Sequence, residues 1–118
     1  MLPATTPTQF DPEAYIASLE LLACCQPRRI YLTHYGELDY APGKAQQLSQ
    51  QLLAYTELAT THAADHGALA RALSNYSVAR IREIDDQLPD DELRELLAFD
   101  IELNAQGLRV WQQRQAAA

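Results

Sequence analysis

Few residues of this chain have the means to do chemistry, and the most suggestive of them is His34. It stands in Ile30-Tyr31-Leu32-Thr33-His34-Tyr35-Gly36, where a short apolar run of strand type ends on an imidazole beside a glycine. A histidine at a strand end is either a packed structural residue or a metal ligand, and spacing alone leaves both open. Tyr31 and Tyr35 flank it. Strand alternation sets them with Thr33 on one face and Leu32 with His34 on the other, a placement that suits a pocket wall and plain packing equally. Glu37 and Asp39 follow the glycine in what reads as a post-strand loop, either as solvated acids or as the rim of a site. His62 and His66 are four residues apart and could share one helix face, the spacing that metalloprotease helices use to hold a metal. The glutamate that such a motif needs directly after its first histidine is Ala63 here, so the pair reads as surface or helix-end histidines. Cys24 and Cys25 are adjacent, a spacing that strains a disulfide and suits no metal. They are expected to be buried or half-buried thiols in a reducing cytoplasm. No serine or cysteine nucleophile set is present, and with Gly 4 in the composition there is no glycine-rich phosphate loop.

The elements that must position these residues are mostly helical. Pro3, Pro7 and three threonines open the chain as an extended loop that calls for something to pack on. Asp11 then reads as an N-cap with Pro12 at the first helical position and Glu13 in the first turn. Tyr15, Ile16, Leu19 and Leu22 form an apolar stripe, and Pro27 closes the helix before the strand. From Pro42 a long helix carries Leu48, Leu52, Tyr55, Leu58 and Ala59 on one face with glutamines opposite. A break or kink is expected at Gly67. Helix then continues with Leu69, Leu73 and Tyr76 on one face, followed by Val78, Ile81 and Ile84. Asp90, Asp91 and Glu92 suit the positive end of a last helix, expected to be kinked or closely packed at Gly107 and anchored by Trp111.

Composition narrows the classes. At 118 residues the chain favours one domain, and its 47% hydrophobic content supports a real core. The net charge of −7 argues against nucleic-acid and anionic-membrane partners, which need a basic face. No apolar run has the length of a membrane span, and the N-terminus lacks the basic and apolar regions of a signal peptide, so a cytoplasmic location is expected. Nine of the 16 acids lie between Glu83 and Glu102. Helix-start acids and a charged outer face explain most of them better than a basic partner does.

Thr5-Thr6-Pro7-Thr8-Gln9-Phe10-Asp11-Pro12-Glu13-Ala14-Tyr15-Ile16-Ala17-Ser18-Leu19-Glu20-Leu21-Leu22, Ile30-Tyr31-Leu32-Thr33-His34-Tyr35-Gly36 and Asn104-Ala105-Gln106-Gly107-Leu108-Arg109-Val110-Trp111-Gln112-Gln113-Arg114 together resemble the C-terminal third of metallo-β-lactamase-fold hydrolases. In that superfamily an αβ/βα sandwich holds one or two metals, usually zinc. Its first ligand motif is H-x-H-x-D-H, and its last ligand is a histidine at the end of a late strand. The resemblance implies that His34 is this last metal ligand, and it extends over nearly the whole chain. The first motif is absent: counted back from Asp65, the two required histidines are Thr61 and Ala63. A catalytic zinc needs three or more protein ligands, so a chain holding one is expected to be inactive alone.

The expected fold is mainly α with one short β-strand, an α+β fragment. Residues 1–40 would be a loop-helix-strand remnant of the sandwich and 41–118 a C-terminal helical extension. The expected function is that of the C-terminal portion of a zinc hydrolase, whose natural partner is the missing N-terminal part. The alternative is an independent helical module for protein interaction or oligomerisation. Under either reading the lone strand and several inner helix faces lack a cover. A homo-oligomer is therefore expected, with strand 29–34 pairing with its copy or lying under a neighbour's helices.

Overall fold

The computed structural model describes residues 1–33 and 36–118. Among them the order is α1 (Pro12–Cys24), β1 (Arg29–Leu32), β2 (Gly36–Asp39), α2 (Pro42–Thr61), α3 (His66–Arg82) and α4 (Asp90–Ala117). The start signals in the sequence act as expected. Asp11 Oδ1 accepts the Ala14 N–H at 3.1 Å with Pro12 at the first helical position, and Asp65 Oδ1 accepts the Ala68 N–H at 3.0 Å. No side chain caps α4; Asp90, Asp91 and Glu92 in its first turn meet the helix dipole instead. No described helix is long and apolar enough to cross a membrane.

The core is built by α2, α3 and α4 together with Phe10 from the opening loop. Leu52, Tyr55, Ala59, Leu69, Leu73, Ile101, Ala105 and Leu108 are buried there, and Tyr15, Ile16 and Leu19 of α1 pack on its edge. Tyr55 is wholly buried. Its hydroxyl lies 3.2 Å from Ser77 Oγ and its ring meets Tyr76 edge-on at 5.8 Å, so the polar tip has a partner inside the core. Burial pushes the Tyr55 hydroxyl pKa upward, so it stays a neutral donor. Polar contacts fasten α4 to α3. Arg94 Nη1 donates to Ser74 Oγ at 3.0 Å and to Asn75 Oδ1 at 2.9 Å, and Arg82 Nη2 meets Asp90 Oδ1 at 2.6 Å. The molecule measures 42 × 42 × 21 Å, a slab two helix diameters thick.

The opening loop packs on α4. The Thr5 N–H donates to Asn104 Oδ1 at 2.8 Å, Thr5 Oγ1 donates to the Asn104 carbonyl at 3.0 Å, and Asn104 Nδ2 donates to the Pro3 carbonyl at 3.2 Å. The Phe10 ring stands edge-on to Trp111 at 6.3 Å, which makes Trp111 the anchor its place in the sequence suggests. Gly107 is closely packed, beneath Thr5, while α4 runs on through it as one helix.

Several expectations are corrected. The strand is not alone: β1 pairs antiparallel with β2, in the register Arg29↔Asp39, Ile30↔Leu38, Tyr31↔Glu37 and Leu32↔Gly36. Gly36 takes a φ of 77°, a conformation open to glycine at little cost, and so lets the chain enter β2. The break between α2 and α3 falls at residues 62–65, where Asp65 offers a cap; Gly67 sits inside the first turn of α3. Ile84 lies beyond α3 and is 83% exposed. The polar face of α2 is also less clean than the pattern suggests, because Gln51 is buried with its Oε1 unpartnered among the described residues.

Candidate functional site

The hairpin is the place to which the residue pattern points, and its chemistry can be built strand by strand. Alternation sends Ile30, Leu32 and Leu38 to a half-buried face, while Arg29, Tyr31, Glu37 and Asp39 lie on the exposed one. Tyr31 is 74% exposed and forms no pocket wall. Glu37 and Asp39, expected in a loop, belong to β2 and are bound to Arg29 at 3.0 and 3.4 Å. These are surface ion pairs, worth about 0–1 kcal/mol each, that fix the hairpin register rather than offer free ligands. Lys44 Nζ of α2 donates to the Asp39 carbonyl at 2.8 Å and ties the end of β2 to that helix. His34, the proposed metal ligand, and Tyr35 beside it lie outside the described residues.

The remaining histidines are placed apart from this hairpin in sequence and in role. His62 ends α2 and His66 begins α3, so they do not share a helix face. His66 Nε2 lies 2.9 and 3.1 Å from the two carboxylate oxygens of Glu102, and Gln106 Nε2 donates to the same group at 2.9 Å. This contact links the start of α3 to the middle of α4. Sequence reasoning missed it because the two residues lie on different helices whose crossing no local pattern reveals. Among the described residues no group of three or more His, Cys, Asp or Glu is placed to hold a metal.

The cysteines correct another expectation: both Cys24 and Cys25 are exposed, at the end of α1. An open groove of about 560 Å³ lies between the opening loop and α1, lined by Thr6, Pro7, Phe10, Asp11, Tyr15 and Ser18 among others. Asp11 is its lone carboxylate and is already committed to capping α1, so the groove has no acid–base pair.

Two carboxylates are held below their usual range. The Ala68 amide bonded to Asp65 depresses the one, and hydrogen bonds from Gln106 and then His66 depress Glu102. A depressed folded-state pKa contributes stability that is present above the ordinary values of 3.8 and 4.5 and is lost as pH falls through the lower folded values. The urea midpoint is thus expected to fall on acidification below about pH 4. An Asp65→Asn, Glu102→Gln chain should lose less over the same interval. Parallel acid limbs for the two chains would show that neither carboxylate is linked to folding. Comparison with family models, with curated proteins and with solved structures finds no match to this chain.

Proposed function

We propose that this chain is the C-terminal part of a metallo-β-lactamase-fold hydrolase and contributes His34 as the last ligand of a zinc centre whose other ligands lie outside it. The observation that carries this reading is the uneven burial of the chain. Helices α2, α3 and α4 close around a core, whereas α1 buries only Pro12 fully and the hairpin buries no residue among those described. Leu21 and Tyr31, on α1 and β1, stand 70% and 74% exposed. The hairpin flanking His34 and the Leu21 side of α1 lack a cover that a sheet layer supplied by the rest of a sandwich would complete. Helix, strand, histidine-glycine and long helices also follow one another in the order that the resemblance implies. The helical part would then serve as a lid or a contact surface beside the site.

The test begins with the size of the protein in its source cells, read by immunoblot against this segment. The expected band is much larger than 13.2 kDa. The larger protein should contain an H-x-H-x-D-H motif, bind zinc, and lose hydrolase activity by at least about 100-fold on His34→Ala while keeping its fold. A band only at the size of this chain would overturn the reading and favour the independent interaction module.

A further inference from the structure

The outward side of α4 carries a second apolar stripe, distinct from the one that faces the core. Leu96, Phe99, Leu103 and Val110, with Gln106 among them, repeat at alternating steps of three and four residues. This is the spacing of a helix seam, and it lies on the side opposite Ile101, Ala105 and Leu108. Leu96 and Phe99 are 69% and 73% exposed, and Leu103 and Val110 are half-buried. From 96 to 110 the stripe runs about 21 Å, long enough for a helix to lie along it.

We propose that this stripe pairs with the same stripe of a second copy, the two α4 helices running antiparallel. The flanking charges choose the occupant and the direction. Glu95, Glu102 and Arg109 border one side of the stripe, and Asp100 and Arg114 border the other, Arg114 being turned to the Phe10 carbonyl. Neither Glu95 nor Arg109 has an ion-pair partner among the described residues. A parallel pair would set Glu95 beside Asp100 and Arg109 beside Arg114, like against like along its length. An antiparallel pair sets Glu95 beside Arg109 of the second copy, twice over by symmetry, and packs Phe99 against Leu103. The two Asp100 carboxylates face each other near the dyad. The two Glu102 side chains also approach there, but each is already turned to His66 and Gln106. Acidic first half against basic second half, and opposed helix dipoles side by side, favour the antiparallel over the parallel arrangement. The surface is independent of the hairpin and of the hydrolase reading.

Sedimentation velocity of the chain at about 100 μM should show a dimer. Phe99→Glu should weaken the dimer at least about tenfold with unchanged far-UV circular dichroism, since that side chain is exposed. In a Cys24→Ser, Cys25→Ser background, Leu96→Cys and Gln106→Cys chains mixed and oxidised should cross-link to each other, while Leu96→Cys alone stays uncrosslinked. A monomer at that concentration, a dimer indifferent to Phe99→Glu, or self-cross-linking of Leu96→Cys would each overturn the proposal.

Discussion

Replacing Gly107 with alanine is expected to strip the opening loop from α4 and lower stability by roughly 2–5 kcal/mol, a Tm drop of roughly 10–20 °C. A Cβ at position 107 would stand 1.5 Å from the Thr5 carbonyl oxygen and 2.6 and 2.8 Å from the carbonyl carbons of Thr5 and Thr6. These are backbone atoms, so no side chain can rotate aside to relieve the clash. The loop must move, and with it go both Thr5 hydrogen bonds to Asn104 and the bond from Asn104 to the Pro3 carbonyl, each worth about 1 kcal/mol net. Phe10 also loses its seat against Trp111 and the aliphatic core, a further loss of roughly 1.5–3 kcal/mol if it is fully exposed. Alanine recovers about 1 kcal/mol of helix propensity, which leaves the loss dominant. The measurement is a urea titration read by emission of Trp111, the single tryptophan of the chain. Gly67→Ala is the control, because a Cβ there meets only side-chain atoms at 3.4 Å in the first turn of α3. Equal midpoints and native emission for both variants would mean that the loop is not held where Gly107 and Asn104 place it.

Much of this fold is legible in the residues, and the misses have physical causes. Asp11-Pro12 announces α1 because a carboxylate cap and a residue without an amide hydrogen both belong at a helix start. The buried stripe Leu48, Leu52, Tyr55, Ala59 follows from helical period alone. The second strand was harder to see. Gly36-Glu37-Leu38-Asp39 is made of residues with poor strand propensity, and what pairs it is the Arg29 side chain reaching across to Glu37 and Asp39. The seat of the opening loop on Asn104 spans about a hundred residues of sequence, and no local pattern marks an asparagine as the receiver. The exposure of Cys24 and Cys25 likewise depends on what covers the end of α1, a tertiary matter on which residue type gives only a bias. At the candidate site the sequence supplied His34 and its order among the elements. The neighbours that would complete a metal centre are not residues of this chain's described part.

The same unevenness of cover that supports the hydrolase reading sets the expected dynamics, and amide hydrogen exchange reads it directly. In this chain the amides of β1 and β2 should exchange at least about 1,000-fold faster than those of α2 and α4 around Tyr55, Leu52 and Leu108. A two-stranded hairpin without a packed face is marginal in water, so its opening costs little. The core amides open only with much of the global stability, which for a domain of this size is on the order of 5–10 kcal/mol, each 1.4 kcal/mol being a factor of ten. The hairpin offsets little of this: its ion pairs and the Lys44 bond to the Asp39 carbonyl are all exposed. If β1 is a strand of a larger sheet, the amides of Arg29 and Tyr31, which point away from β2, become ladder donors, and in the longer protein their protection should rise toward that of α4. The two measurements separate the alternatives. Fast exchange in this chain with slow exchange in the longer protein is the signature of a strand taken from its sheet. Slow hairpin exchange in this chain alone would mean that β1 and β2 are complete as they stand, and the hydrolase reading would lose the uneven burial on which it rests.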